Sequence, residues 1–207
     1  MISISDYIQI ATLIVVTVYT IVTYKLFSSQ NKQSFENKFF KLLTLHHEIV
    51  NSIEGMAIDG IQRGRKNFVT FYAIFCEKYE SQSQINPKGD PLTMITDSYK
   101  EFFKFYQPDI GHYFRNLYHM IKFIDKSSSN EKDFFTHLVR AQLSSHELLL
   151  LFYNCLSPNG NEKFKPLVEK YSLLENMPED ELLDKKLKLP YEHKNLYKEI
   201  AFKKDIK

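Results

Sequence analysis

The stretch Leu138–Gly160, "LVRAQLSSHELLLLFYNCLSPNG", decides the fold. Its apolar run, Leu148–Leu156, is about half the length needed to cross a bilayer, and Asn154 interrupts it. A helix that is hydrophobic on nearly every side and too short to span lipid has to be surrounded by other elements of its own domain. Its start is marked by Ser144-Ser145-His146-Glu147, an S-x-x-E capping box in which Ser144 and Glu147 satisfy each other's backbone amides. Its end is marked by Pro158 and Asn159-Gly160. The capping box places a break between Leu143 and Ser145, with one continuous helix from Phe134 to Leu156 as the alternative.

The rest of the chain supplies helices to surround it. In 207 residues there are six glycines and seven prolines, too few for a turn-rich β fold. Seventeen Phe and thirteen Tyr with no Trp point to an aromatic core. Phe35, Phe39, Leu42, His46, Ile49 and Ile53 alternate in steps of four and three, one face of a helix over about Gln33–Glu54. Further helices are expected at Asn67–Tyr79, around Tyr99–Tyr106 (ended by Pro108), at Gly111–Asp125 and from about Glu131. "KFKPLVEKYSLLENM" and "MPEDELLDKKLK" each read as one more, the second with Pro178 in its first turn, acids early and lysines late. Ser81–Pro91 reads as a loop, and no alternating β run of convincing length is present.

The N-terminus differs. "YIQIATLIVVTVYTIVTY" (Tyr7–Tyr24) has no charge and no polar stripe, and with Lys25–Phe27 it reaches about 20 residues, the length of a transmembrane helix. A cleaved signal peptide would want a basic n-region, and Met1–Asp6 holds no Lys or Arg. Lys25, Lys32, Lys38 and Lys41 all follow the span, so the positive-inside rule expects the N-terminus out and the body in the cytoplasm. The fold class expected is therefore all-α: a single N-terminal transmembrane helix (1–27), a multi-helix cytoplasmic domain (28–180) and a C-terminal tail (181–207) that is part of that domain or packed on it.

Three blocks in order, "FENKFFKLLTLHHEIVNSI" (Phe35–Ile53), "HYFRNLYHMIKFID" (His112–Asp125) and "RAQLSSHELLLLFYNCLSPNG" (Arg140–Gly160), resemble the phage abortive infection (AbiC-type) family of bacterial proteins. The resemblance covers roughly residues 35–180. Its motif positions are Tyr113, Phe114, Arg115 and Tyr118, then Arg140, Gln142, Leu143, Ser144, Glu147 and Asn154. It implies phage defence, in which an infected cell stops growing or dies before phage matures, at the bacterial inner membrane. It carries over no catalytic residues and no cofactor.

The chemistry in the residues themselves is sparse. The net charge of +2 does not call for nucleic acid. Cys76 and Cys155 form no CxxC pair and read as reduced thiols in apolar surroundings. His46-His47-Glu48 lacks the HExxH spacing, so His46 reads as a core histidine and no metal site is expected. P-loop, GxGxxG and GxSxG patterns are absent. The one enzyme-like pattern is Arg140 and His146, with five residues between them, which matches the R-x(4–6)-H spacing of HEPN-type ribonucleases. There the histidine would move the proton and the arginine would stabilise charge on the scissile phosphate, across a homo-oligomer. The rival reading makes Arg140 and Glu147 a structural pair, two turns apart if the helix is unbroken.

The expected function is a membrane-anchored, non-enzymatic sensor or effector of phage defence whose trigger is a phage or host protein. The alternatives are a tethered ribonuclease on Arg140 and His146, the reading under which nucleic acid becomes a partner, and an accessory scaffold for an effector encoded elsewhere.

Overall fold

A computed structural model describes residues 3–57, 60–85, 89–189 and 192–202. It is helical apart from a two-stranded hairpin, so the all-α class holds. The chain divides into two compact units, Met1–Lys41 and Leu42–Lys207.

The first unit is helix from Ile4 onward. It belongs to α1 (Ile4–Ser52), which absorbs both the apolar N-terminal run and the amphipathic segment that follows. No breaker separates them: the linking stretch "SSQNKQS" has neither Gly nor Pro. From Ile4 to Phe27 every side chain is exposed. Thr12, Thr17 and Thr20 each donate their hydroxyl to the carbonyl four residues back, which hides those hydroxyls from an apolar solvent. This helix is long and apolar enough to cross a membrane.

The second unit is built around α5 (Ser145–Leu156). Every residue from Glu147 to Leu156 is buried. Its apolar side chains contribute about 1.5–3 kcal/mol each when fully removed from water. Helices α2 (Lys66–Ile85) and α3 (Pro91–Lys126) pack on each other and both pack on α5. The aromatic residues fill the space between them: the Phe75 ring lies 4.9 Å from Tyr153 and 5.5 Å from Tyr99. α4 (Lys132–Arg140) ends as Arg140 gives way to a turn, so the break ahead of α5 is real and the continuous helix from Phe134 is excluded.

Several boundaries differ from the sequence expectation. Pro108 does not end a helix: α3 runs through it. Pro108 and Lys104, whose carbonyl loses its amide partner, are both on the exposed side, where water replaces the missing bond. Phe102 and Ile110 are fully buried on either side of it, and that burial outweighs the local cost. α2 extends to Ile85, into the expected loop. β1 (Glu54–Ala57) pairs antiparallel with β2 (Gly60–Arg63), strands too short for an alternating pattern to register. Asn67 clips this hairpin: its side-chain amide donates to the carbonyls of Ile53, Gln62 and Gly64. Gly64 has φ +71°, the left-handed conformation the turn into α2 needs.

The C-terminal third is also more broken than expected. α6 (Lys165–Lys170) stops where Ser172 takes φ +48°, so "KFKPLVEKYSLLENM" is helical only in part. The acidic triplet Glu179–Glu181 forms a 3-10 turn after Pro178, and α7 (Leu183–Lys186) follows it. Two further 3-10 turns, His193–Leu196 and Glu199–Phe202, lie against α5 and α6. Tyr197 donates its hydroxyl to the Phe152 carbonyl, Lys165 reaches the Leu196 carbonyl, and Leu174 donates its amide to Ala201.

Candidate functional site

The break between α4 and α5 gathers the polar residues of the second unit. Glu147, the third residue of α5, is fully buried and closes the expected capping box. Its Oε2 accepts from the Ser144 amide at 2.8 Å and from the Ser144 hydroxyl at 2.5 Å. Arg65, at the turn from the hairpin into α2, brings its Nε to 3.5 Å from the same oxygen. Tyr113, on α3, is fully buried with its ring 4.7 Å from Phe68 and 5.2 Å from His46. Burial pushes the Tyr113 hydroxyl well above its ordinary range, and the Glu147 carboxylate beside it adds to the push.

His46 lies in the same cluster. It is fully buried, with its Nδ1 3.4 Å from the Asn116 amide nitrogen. Burial, reinforced by the charges of His47 and Arg65, pushes it down to about 4, so it is neutral at physiological pH. The adjacent His47 hydrogen-bonds the Gln142 side chain at 3.0 Å. His46 is thus the core histidine expected. No group of three or more metal-binding side chains occurs among the described residues.

Four of the motif positions named from sequence therefore meet here: Tyr113, Gln142, Ser144 and Glu147. Leu143 is buried in the break itself. The others lie elsewhere. Phe114 is in the core, Arg115 is exposed, and Tyr118 packs its ring 5.6 Å from Phe164. Asn154 donates to the buried Tyr99 hydroxyl at 2.8 Å.

Residues 105–182 match the family model described as "Putative phage abortive infection protein". The matched segment holds all ten motif positions, while the Phe35–Ile53 block lies ahead of it. No curated protein and no solved structure matches the chain. Within the matched segment, the polar cluster is supplied by α3 and by the α4–α5 break. His46, His47 and Arg65 join it from elements that precede the match.

Arg140 and His146, the ribonuclease pair of the sequence reading, have different neighbours. Arg140 pairs with Glu175 at 2.5 Å and donates to the Ser172 carbonyl at 3.1 Å. His146 is half-buried, its ring 5.9 Å from Tyr72. Burial pushes His146 below its ordinary value, with Glu181 raising it and Lys186 lowering it again. The Arg140–Glu147 pairing required an unbroken helix; Glu147 is held by Ser144 and Arg65 instead.

A second buried network went unseen in the sequence. His193, from the tail, places Nδ1 3.0 Å from the Tyr153 hydroxyl and Nε2 3.3 Å from Tyr79. Asp184 lies 3.4 Å from the same Nδ1. Burial lowers His193 to about 4 and raises Asp184. Only the tail's three-dimensional path reveals this network; the local pattern "YEHKNLY" carries no signal of it.

Proposed function

We propose that this chain is a membrane-anchored phage-defence protein of the abortive infection type. In this reading α1 is a single-pass anchor in the bacterial inner membrane with the N-terminus outside, and the helical domain works in the cytoplasm. The domain acts as a non-enzymatic sensor or effector through contact with a phage or host protein.

The observation that carries this reading is the family match over residues 105–182, within which four of the motif positions meet at the buried cluster around Glu147. The exposed apolar surface of Tyr7–Tyr24 supports the anchor: an uncharged, largely apolar helix with no buried side is expensive in water and at home in lipid. A non-enzymatic role agrees with the state of the polar residues. Glu147, Tyr113 and His46 are sealed from solvent, and Arg140 is held by Glu175. The ribonuclease reading retains its sequence spacing, but it requires Arg140 to leave that ion pair.

The test is a phage challenge at matched protein levels. Wild type, a variant lacking residues 1–27 and the double variant Arg140→Ala/His146→Ala are compared by plaque yield and survival. The proposal expects protection from wild type, loss of protection without residues 1–27, and protection from the double variant wherever it is folded. Loss of protection in a folded double variant, with RNA left intact only in that variant, would instead establish the ribonuclease.

A further inference from the structure

His112, Arg115, His119, Lys122 and Lys126 follow one another along α3 at steps of three and four, so they share one face of the helix. Arg115, His119 and Lys126 are exposed, and His112 and Lys122 are half-buried. Among the described residues none of the five pairs with an acid. The acids of this half of α3, Asp109 and Asp125, fall outside the progression, and Asp125 is taken by Lys170 and Tyr171. The chain's net charge of +2 hides this local excess. Carried back two steps through Pro108, the stripe begins at Phe105 and is about 30 Å long.

Two ordinary accounts cover little of it. A cation near a helix C-terminus complements the dipole, but the effect fades within the last turn. It explains Lys126, while Arg115 stands three turns earlier. A solvated charged face needs no apolar ring, yet Phe105 lies on the stripe 65% exposed.

The stripe sets flat groups beside cations. Phe105, His112 and His119 stand seven residues apart in one file, and Arg115 and Lys122 form the next. Tyr118 steadies one end: its ring lies 5.1 Å from that of His119 and 5.1 Å from Lys122 Nζ. Aromatic faces stack on unpaired nucleobases, and guanidinium and ammonium groups meet the phosphates between them. An acidic peptide would engage the cations and leave the rings idle. A duplex keeps its bases stacked on each other and out of reach.

We propose that this face of α3 binds single-stranded nucleic acid, its cations holding phosphates and its rings stacking on bases. This partner is additional to the protein contact proposed above and independent of it.

The test is anisotropy of a fluorescent RNA of about 12 nucleotides, titrated with full-length protein in neutral detergent at several salt concentrations. Three neutralised phosphates give log affinity against log salt a slope of about −2. Arg115→Gln/Lys122→Gln/Lys126→Gln should weaken binding by about tenfold or more and flatten the slope, while glutamine keeps the helix. Phe105→Ala/His119→Ala should weaken binding several-fold with the slope unchanged. Lys66→Gln/Lys185→Gln/Lys198→Gln, an equal loss of charge at exposed positions outside the stripe, should change affinity little. Absence of binding at low salt, an equal loss in that control, no effect of the ring pair, or tighter binding of a duplex overturns the proposal. Equal competition by polyglutamate also overturns it and assigns the face to an acidic protein.

Discussion

Arg140 and Glu175 form an ion pair 2.5 Å long whose two side chains are only 8% and 14% exposed. Arg140 closes α4, and Glu175 lies in the turns after α6, so the pair ties the α4–α5 break to the C-terminal third. Breaking a pair this buried leaves one charge stranded. Glu175→Ala should destabilise the protein by about 3 kcal/mol, and Arg140→Met, which keeps the packing, by less. Urea unfolding of the two variants checks the order. A larger loss in Arg140→Met would show that the pair is not what holds this junction.

The capping box gives a second expectation. Ser144→Ala removes one of two donors to Glu147 and should cost about 1 kcal/mol. Glu147→Ala removes the partner of Ser144 and Arg65 together, and should cost more than Ser144→Ala. Equal losses in denaturant titrations would mean that Arg65 adds nothing to the buried carboxylate.

Acid should weaken the fold before the carboxylates titrate. His46 and His193 are each lowered from 6.5 to about 4 by burial. The unfolded chain takes up their protons first. Their stability is thus fully present above about pH 6.5 and is lost as pH falls toward about 4, at up to about 1.4 kcal/mol per pH unit for each histidine. Asp184 is raised, so it favours the folded state at low pH and partly offsets the loss at His193. Thermal melts between pH 7 and pH 4.5 should show the decline, and His46→Asn should make it shallower. An unchanged slope in that variant would remove His46 from the account.

Thiol labelling reads the docking of the tail. Cys155 is buried beside Tyr197, and burial pushes its thiol far up. Cys76 is half-buried and pushed up to about 11. A maleimide should modify Cys76 slowly and Cys155 hardly at all. Tyr197→Ala loses the hydrogen bond to the Phe152 carbonyl and uncovers Cys155, so its labelling should rise by about tenfold or more. No change would mean that the tail does not shield α5.

The elements legible in sequence were those with strong local signals. The capping box and the run Leu148–Leu156 placed α5 and the break before it, because hydrogen bonding and burial there depend on neighbours in sequence. Pro108 misled, because its cost is local while the burial of Phe102 and Ile110 that overrides it is tertiary. The hairpin was missed because four-residue strands show no alternation and because its stabiliser, Asn67, looks like any first-turn asparagine. In the site, Glu147, Ser144, Gln142 and Tyr113 were named from their motifs. Arg65 carries no local signal: nothing in the residues around it says that this arginine faces a carboxylate more than eighty residues later.

The encasement of α5 also dictates an order of assembly on the ribosome. α2 and α3 are synthesised before it and pair with each other, so a docking surface is waiting when Leu148–Leu156 emerges. The tail that covers Phe152 and Cys155 comes last. Between those two moments the nascent chain displays its most apolar helix with one side bare. That interval is when the protein is most exposed to chaperones and to aggregation.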